Sequence, residues 1–377
     1  MPDLRASLAV LALATALPLA ATPAAVASAT HVVTELSGVA GLPGTFGYHP
    51  TGVNDLGQVI GSAQGDGLTR AVLWGPRGGA TDLGPGLAGA ISQSGRVLGL
   101  TSDGIPDTQK PWVWFAGQRK NITPPGAAWA LAQVINDDGD VPMSYATTSR
   151  GQQRATVWDG ERHVELPVAG DHVSTYAINN AGVVAASYAS ASFQQFAALR
   201  CTDGTCTQLP PGPGYGTYDP EAINESGVIV ANRGMVAMRW DGQELTVLSE
   251  NGRLAHGEQS LNERGDAVGW VLDNGTSRAV LWPAGGKQVD LGLPGNSVAT
   301  AINERGDIVG HVSTPDYSST RVFLWRDGQL TYLDSLGGAY STPVAMNNHG
   351  VVVGRSTTAD GTWKGVRWTP VATTPTH

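Results

Sequence analysis

Apolar residues along the chain fall into short, largely β-branched runs, interrupted every few positions by Gly, Asn or Asp. Beyond residue 29 no window holds a helical period, whereas one pattern returns eight times: an apolar residue, Asn-x-x-Gly, and a β-branched run. The copies are Val53-Asn54-Asp55-Leu56-Gly57, Ile91-Ser92-Gln93-Ser94-Gly95, Ile135-Asn136-Asp137-Asp138-Gly139, Ile178-Asn179-Asn180-Ala181-Gly182, Ile223-Asn224-Glu225-Ser226-Gly227, Leu261-Asn262-Glu263-Arg264-Gly265, Ile302-Asn303-Glu304-Arg305-Gly306 and Met346-Asn347-Asn348-His349-Gly350. The Asn positions, with Ser92 standing as the second, are 38, 44, 43, 45, 38, 41 and 44 residues apart. About twenty residues further on the copies reach Trp74, Trp114, Trp158, Trp240, Trp282, Trp325 and Trp368, with Arg200 read at that place in the fourth. A period in the forties with four short strands per unit predicts a propeller blade.

Within a unit, Asn opens a type I turn and Gly at its fourth position accepts positive φ, so the run before the turn pairs with the run after it. A third strand such as Arg278-Ala279-Val280-Leu281-Trp282 then pairs with a fourth such as Gln288-Val289-Asp290-Leu291. Four of these second hairpins turn on Asp-Gly: Asp159-Gly160, Asp203-Gly204, Asp241-Gly242 and Asp327-Gly328. The last copy stops at its third strand, at Trp368, while the segment His31 to Gly38 reads as a fourth strand without its first three. Joining the two would remove an exposed edge. The expectation is an all-β protein, a β-propeller of eight four-stranded blades closed by the N-terminal strand and occupying residues 30–370. A seven-bladed ring with an irregular second copy, or an open solenoid, is the alternative.

The units resemble the HAF repeat family of extracellular repeat proteins, whose pattern runs Ala-x-x-Ile-Asn-x-x-Gly-x-Val-Val-Gly, His-Ala-Phe-x-Trp, Asp-Leu-Gly-x-Leu-Gly-Gly. Ala301 to Gly310 fits the first element, and Leu333-Asp334-Ser335-Leu336-Gly337-Gly338 fits the last, with Tyr332 and Asp334 replacing its Asp and first Gly. The resemblance covers Thr34 to Trp368 and implies export and repeat architecture, but no chemistry. It departs at the family's His, where this chain has Arg70, Lys110, Arg154, Phe196, Val236, Arg278, Arg321 and Lys364. Hairpin register predicts a ring of cross-strand pairs for these: Arg70 with Asp82, Arg154 with Glu165, Arg278 with Asp290, Arg321 with Asp334, Lys364 with Glu35, and Lys110 with Asn121.

Composition agrees with this architecture: 50 Gly and 23 Pro make the chain turn-dense, and 41% apolar residues keep it from being disordered. Residues 1–29 read as a secretory signal peptide, with Arg5, an uncharged stretch Ala6 to Ala21, and the small-x-small site Ala27-Ser28-Ala29. Residues 371–377 form a short tail. No later apolar run is long enough for a membrane span, and a net charge of −9 disfavours nucleic acid. The mature chain is therefore expected to be a secreted monomer.

Cys201 and Cys206 flank Thr202-Asp203-Gly204-Thr205, which places them opposite each other in a hairpin and predicts a disulfide. Neither a Gly-x-Ser-x-Gly motif nor a His-x-x-x-His spacing occurs, so the sequence offers no catalytic nucleophile, metal site or cofactor. Asn136-Asp137-Asp138-Gly139-Asp140 resembles a calcium loop but coincides with the repeat's own turn. What varies between copies is the fourth-to-first connection. It carries Trp129, His172, Tyr215, Tyr218, Asp219, His256 and Tyr340, with Phe46, Tyr48 and His49, as candidate ligand-binding residues. The leading expectation is a non-catalytic propeller recognising a glycan or protein. A polysaccharide hydrolase or lyase using Asp219, Glu221, His256 and Glu258 near the axis is the second, and a structural envelope protein is the third.

Overall fold

The computed structural model describes residues 30–42, 47–101, 109–149, 151–168, 171–242 and 244–371. The leader, residues 1–29, lies outside them, as do Phe46 and residues 372–377 of the tail. The chain is all-β and propeller-like. Six sheets have four strands in sequence order, such as Gly47–Val53, Val59–Gly65, Leu68–Trp74 and Ala80–Pro85. The seventh sheet has eight strands. It joins Asn296–Ile302, Ile308–Ser313, Thr320–Arg326 and Gln329–Tyr332 to a second four-stranded set through the single parallel pair Thr320 and Tyr340. That second set is Gly337–Met346, Val352–Thr358, Trp363–Pro370 and the N-terminal strand His31–Glu35. His31 lies opposite Pro370 and Glu35 opposite Val366. Below, units 1 to 8 follow the order of the Asn-x-x-Gly copies.

Apolar faces of neighbouring sheets press together. Each of eight buried clusters spans two successive units, and one joins Ala345 and Val353 of unit 8 to Val53, Val59 and Trp74 of unit 1. The repeated tryptophans sit in these seams. The Trp74, Trp240 and Trp368 indoles donate to Ser37, Pro210 and Asp334 carbonyls of the preceding unit at 2.8, 3.0 and 2.7 Å. Register corrects one sequence assignment. Val59, Ile229 and Val352 face Trp74, Trp240 and Trp368, and the matching Val184 of unit 4 faces Cys201. Cys201, and not Arg200, therefore holds the tryptophan's place. It is fully buried and bonded to Cys206, which lies directly opposite at a Cα separation of 4.1 Å.

The expected ring of ion pairs forms only in part. Arg70 Nε reaches Asp82 at 3.1 Å and Lys364 Nζ reaches Glu35 at 2.8 Å. Arg278 instead meets Asp273 at 3.7 Å, and Arg321 lies over the Tyr332 ring. In unit 3 the four-residue turn from Asp159 to Arg162 shifts the register, so Glu165 faces Thr156 and accepts from the Tyr145 hydroxyl. In unit 2, Asn121 faces Trp112 rather than Lys110.

The first-to-second-strand turns do more than turn. Each Asn Oδ1 accepts a backbone N–H within its own loop, as Asn224 does from Val228 at 2.9 Å. Each Nδ2 reaches the next unit: Asn136 to Asn179 O, Asn179 to Asn224 O, Asn224 to Asn262 O, and Asn347 to Asn54 O at 2.9 Å. The following residue repeats the linkage by another route. Its N–H donates to the side chain of its counterpart one unit on, in the order Asp55, Gln93, Asp137, Asn180, Glu225, Glu263, Glu304, Asn348 and back to Asp55.

Candidate functional site

The inner strands stand around an axis, and on the side of the Asn-x-x-Gly turns (the turn face) lies a funnel of about 330 Å³. Its wall carries Asp55, Asp137, Glu225, Glu263 and Glu304 among the amides Gln93, Asn180 and Asn348. Its floor comes from unit 6, where the inner strand stops at Leu254 and the chain enters a single 3-10 turn, Glu258–Ser260. Gly257 makes the break possible: its φ of 88° is costly for any residue with a Cβ. Gln259 fixes the turn across the axis, donating to Met346 O at 2.8 Å and accepting from Met346 N at 2.9 Å. Glu258 meets the water of the funnel but is ringed by protein. That enclosure, with the Asp137 charge adding to it, pushes its carboxyl up to about 7.

Beyond the turn, toward the face bearing the second-to-third and fourth-to-first connections (the loop face), lies a second polar group. Glu221, on the inner strand Asp219–Ile223, is buried and fully satisfied. Its Oε1 accepts from Asn232 Nδ2 at 2.7 Å, and its Oε2 from His256 Nδ1 at 2.8 Å and Gly257 N at 3.1 Å. The exposed His256 ring is thereby held with Nε2 outward, and the hydrogen bond to Glu221 raises its pKa against the effect of burial. Asp219 stands alongside, 3.8 Å from Arg253, with its carboxyl raised by burial. The Tyr176 phenol, also raised by burial, feels the Asp219 and Glu221 charges. The structure thus brings together three of the four residues singled out for axial chemistry, Asp219, Glu221 and His256. It places Glu258 in the funnel on the other side of the turn.

The remaining candidates separate. Tyr218 is 2% exposed and belongs to the seam between units 4 and 5: its hydroxyl bonds Gly212, and Arg233 lies 4.5 Å above its ring. It is a packing residue and offers no ligand surface. Tyr215 is 78% exposed, with one edge of its ring against Gly234. His172 stacks on Phe193 at 4.5 Å, and Trp129 is half-buried at the start of its inner strand. Tyr340 has the company the sequence did not reveal. Its ring lies 6.3 Å from that of Trp363, Arg355 covers Trp363 at 4.9 Å, and its hydroxyl donates to the carbonyl of the exposed Tyr317. Trp363 lies outside the repeat's tryptophan position. An aromatic at the start of a third strand, shared among the described copies with Phe196 of unit 4 alone, was the available signal.

Among the described residues no group of His, Cys, Asp and Glu has the arrangement of a metal site, and no helix is long and apolar enough to cross a membrane. No protein-family model matches the chain, and no curated protein matches it in sequence. Solved structures do match in fold. The β-propeller domain of the Trilobed protease from Pyrococcus furiosus, described as having an open velcro topology, aligns at TM-score 0.51 and 12% identity, over 77% of this chain and 98% of that one. A structure from a study of two prolyl endopeptidases aligns at 0.57 and 12%, over 86% of this chain and 54% of that one. Dipeptidyl peptidase 4 from Porphyromonas gingivalis aligns at 0.54 and 10%, over 82% and 57%. The chain spans little more than half the length of the two peptidases. At these identities the likeness establishes the propeller scaffold and nothing of its activity.

Proposed function

We propose that this chain is a secreted, non-catalytic member of the HAF-like repeat proteins: an eight-bladed ring, closed by its N-terminal strand, that binds a glycan on its loop face. Support for the ring comes from the pairing of His31–Glu35 with Trp363–Pro370 and from the turn-to-turn hydrogen bonds that return from Asn348 to Asp55. Support for export comes from the leader-like residues 1–29 and the Cys201–Cys206 bridge.

One observation carries the binding assignment: the exposed pair Tyr340 and Trp363, 37% and 40% accessible and tilted 37° to each other, with Arg355 over one face of Trp363 and Tyr317 beside Tyr340. Flat aromatic surface edged by hydrogen-bonding groups accepts the apolar face of a sugar ring while leaving its hydroxyls partnered. The test is a thermal-shift and affinity-retention screen of the mature chain against neutral cell-wall and plant polysaccharides. At least one should be retained, and Trp363→Ala should weaken that binding at least tenfold without changing the melting temperature. No retention across the panel overturns the assignment.

The Glu221–His256 pair favours a second reading, a polysaccharide hydrolase or lyase. Release of new chain ends by the wild-type chain, lost in His256→Ala, would replace the first reading with the second.

A further inference from the structure

The residue before the tryptophan position has a distinct role in two seams. In unit 5 this residue is Arg239, whose guanidinium donates to Gly265 O and Pro283 O at 3.1 Å each and to Ala284 O at 2.6 Å, all in unit 6. In unit 8 it is Arg367, which donates to Pro76, Gly57 and Gly75 carbonyls of unit 1 at 2.8, 3.2 and 3.1 Å. Each arginine binds the same receptor: the carbonyl of the Asn-x-x-Gly glycine and two carbonyls just after the next unit's tryptophan. Unit 4 carries Arg200 at this register, opposite Ala185 as Arg239 is opposite Val230.

Arg200 has no such receptor. Its guanidinium lies over Gly227, the matching glycine of unit 5. The two residues after Trp240 do not bond this guanidinium: unit 5 closes its second hairpin with a tight turn in which Asp241 pairs with Glu244, and Gly242 only lines the space beside Arg200. Units 1 and 6 use longer loops there, Gly75 to Gly79 and Pro283 to Gly286. Among the described residues no acceptor bonds the Arg200 side chain. In place of the missing loop is a cleft of about 710 Å³, lined by Arg200, Thr207, Gln208, Leu209, Pro210 and Ser226 among others. Its size suits a small ligand or a short oligomer.

We propose that this cleft binds the carboxylate of an acidic saccharide. A guanidinium fork left without its carbonyls presents parallel N–H groups to a pair of oxygens, which a uronate carboxylate supplies; a phosphate meets the same fork, so inorganic phosphate is the competitor the test must include. Pro210 and Pro211 offer an apolar wall to the ring, and Thr207, Gln208 and Ser226 offer partners to its hydroxyls. The site is on the turn face, remote from Tyr340 and Trp363, so it stands apart from the glycan assignment above.

The test is isothermal titration of the mature chain with trigalacturonate, with its methyl ester, with inorganic phosphate and with an acidic tripeptide. Trigalacturonate should bind, the ester and Arg200→Gln should each bind at least tenfold more weakly, and Arg200→Lys should fall between. Ser226→Tyr, which fills the cleft from the opposite wall, should also abolish binding, and it serves if Arg200→Gln does not fold. Trp363→Ala should leave trigalacturonate binding unchanged, which separates failure here from failure of the loop-face site. Equal binding of the ester, full binding by Arg200→Gln, no binding of trigalacturonate, or competition by phosphate or the peptide at equal concentration would overturn the proposal.

Discussion

A single side chain type explains both how a unit turns and how units hold together. Asparagine carries an acceptor and a donor on one short stem, so Oδ1 can close the local loop while Nδ2 crosses to the next unit. Aspartate would keep the first bond and lose the second. The sequence displayed the Asn-x-x-Gly turn plainly, because turn chemistry is local. It could not display the crossing, because the partner carbonyl is about forty residues away. Ser92 tests the account. Its hydroxyl accepts from Arg96 N at 3.1 Å as an Asn would, but it sends no donor to unit 3, where Ser94 and Arg96 reach Asp137 O instead. Ser92→Asn should restore the missing link and add about 1 kcal/mol to unfolding stability, a typical net value for one hydrogen bond, measured by denaturant titration. A second residue-level prediction concerns pH. Glu221 raises the His256 pKa, so the pair's contribution to stability is present below about 6.5, the ordinary imidazole value, and fades as pH rises through the higher folded-state value. NMR titration should find His256 titrating above 6.5 in the wild type and at a lower pH in Glu221→Gln. Because the imidazole is exposed, the accompanying change in melting temperature should be small.

At the scale of the strand, alternation and turn spacing were enough to read the hairpins, yet the inner strands hold a feature that alternation conceals. Six of them slip register between the fourth and second residues before the turn's Asn (Ser92 in unit 2), between Pro50 and Gly52, Ala88 and Ala90, Thr175 and Ala177, Pro220 and Ala222, Ala299 and Ala301, and Pro343 and Ala345. Opposite the slip, glycine fills the close approach to the inner strand in units 1, 2, 7 and 8, as Gly61, Gly99, Gly310 and Gly354, whereas units 4 and 5 hold Ala186 and Ala231 there. A Cβ at Gly310 would run into the Val298 carbonyl and the Phe323 ring, and one at Gly354 into the Thr342 carbonyl. Read from sequence, these glycines were only part of the 50 that make the chain turn-dense. Gly310→Ala should therefore cost about 2–3 kcal/mol, within the range of severe core overpacking. Calorimetry of the variant beside Gly285→Ala, whose Cβ meets open space, would check this, and equal costs would refute it. The disulfide is legible in the same partial way. Hairpin register placed Cys201 opposite Cys206, but only the three-dimensional register shows that the pair occupies the seat of a tryptophan. The funnel floor was the least legible element, although Glu258-Gln259-Ser260 is polar where other copies put apolar inner-strand residues such as Ala299 and Ala301.

At the scale of the molecule, the proposed closure would rest on one strand contributed from far away in sequence. The segment His31–Glu35 covers the outer edge of Trp363–Pro370, Leu36 and Val39 enter the seam with unit 1, and His31 Nε2 bonds the Gly350 carbonyl at 3.0 Å. Removing it does more than delete one ladder. It exposes a strand edge available to other chains, strips the apolar cover from Val53 and Trp74, and takes away the Ser37 carbonyl that holds the Trp74 indole. A stacked array tolerates loss of a terminal element because each unit leans only on its neighbours. A ring does not, since its first and last units have no other partner on that side. Deleting residues 30–37 should lower the melting temperature by more than 10 °C and promote association at high concentration, both scaled from several kcal/mol of lost packing. Light scattering and calorimetry on the truncated chain would decide. An unchanged melting temperature would mean that the turn-to-turn hydrogen bonds near the axis, including Asn347 to Asn54, close the ring without the strand. In that case adding a synthetic peptide of residues 30–37 back to the truncated chain should leave its stability unmoved, whereas a ring closed by its strand should recover most of what it lost.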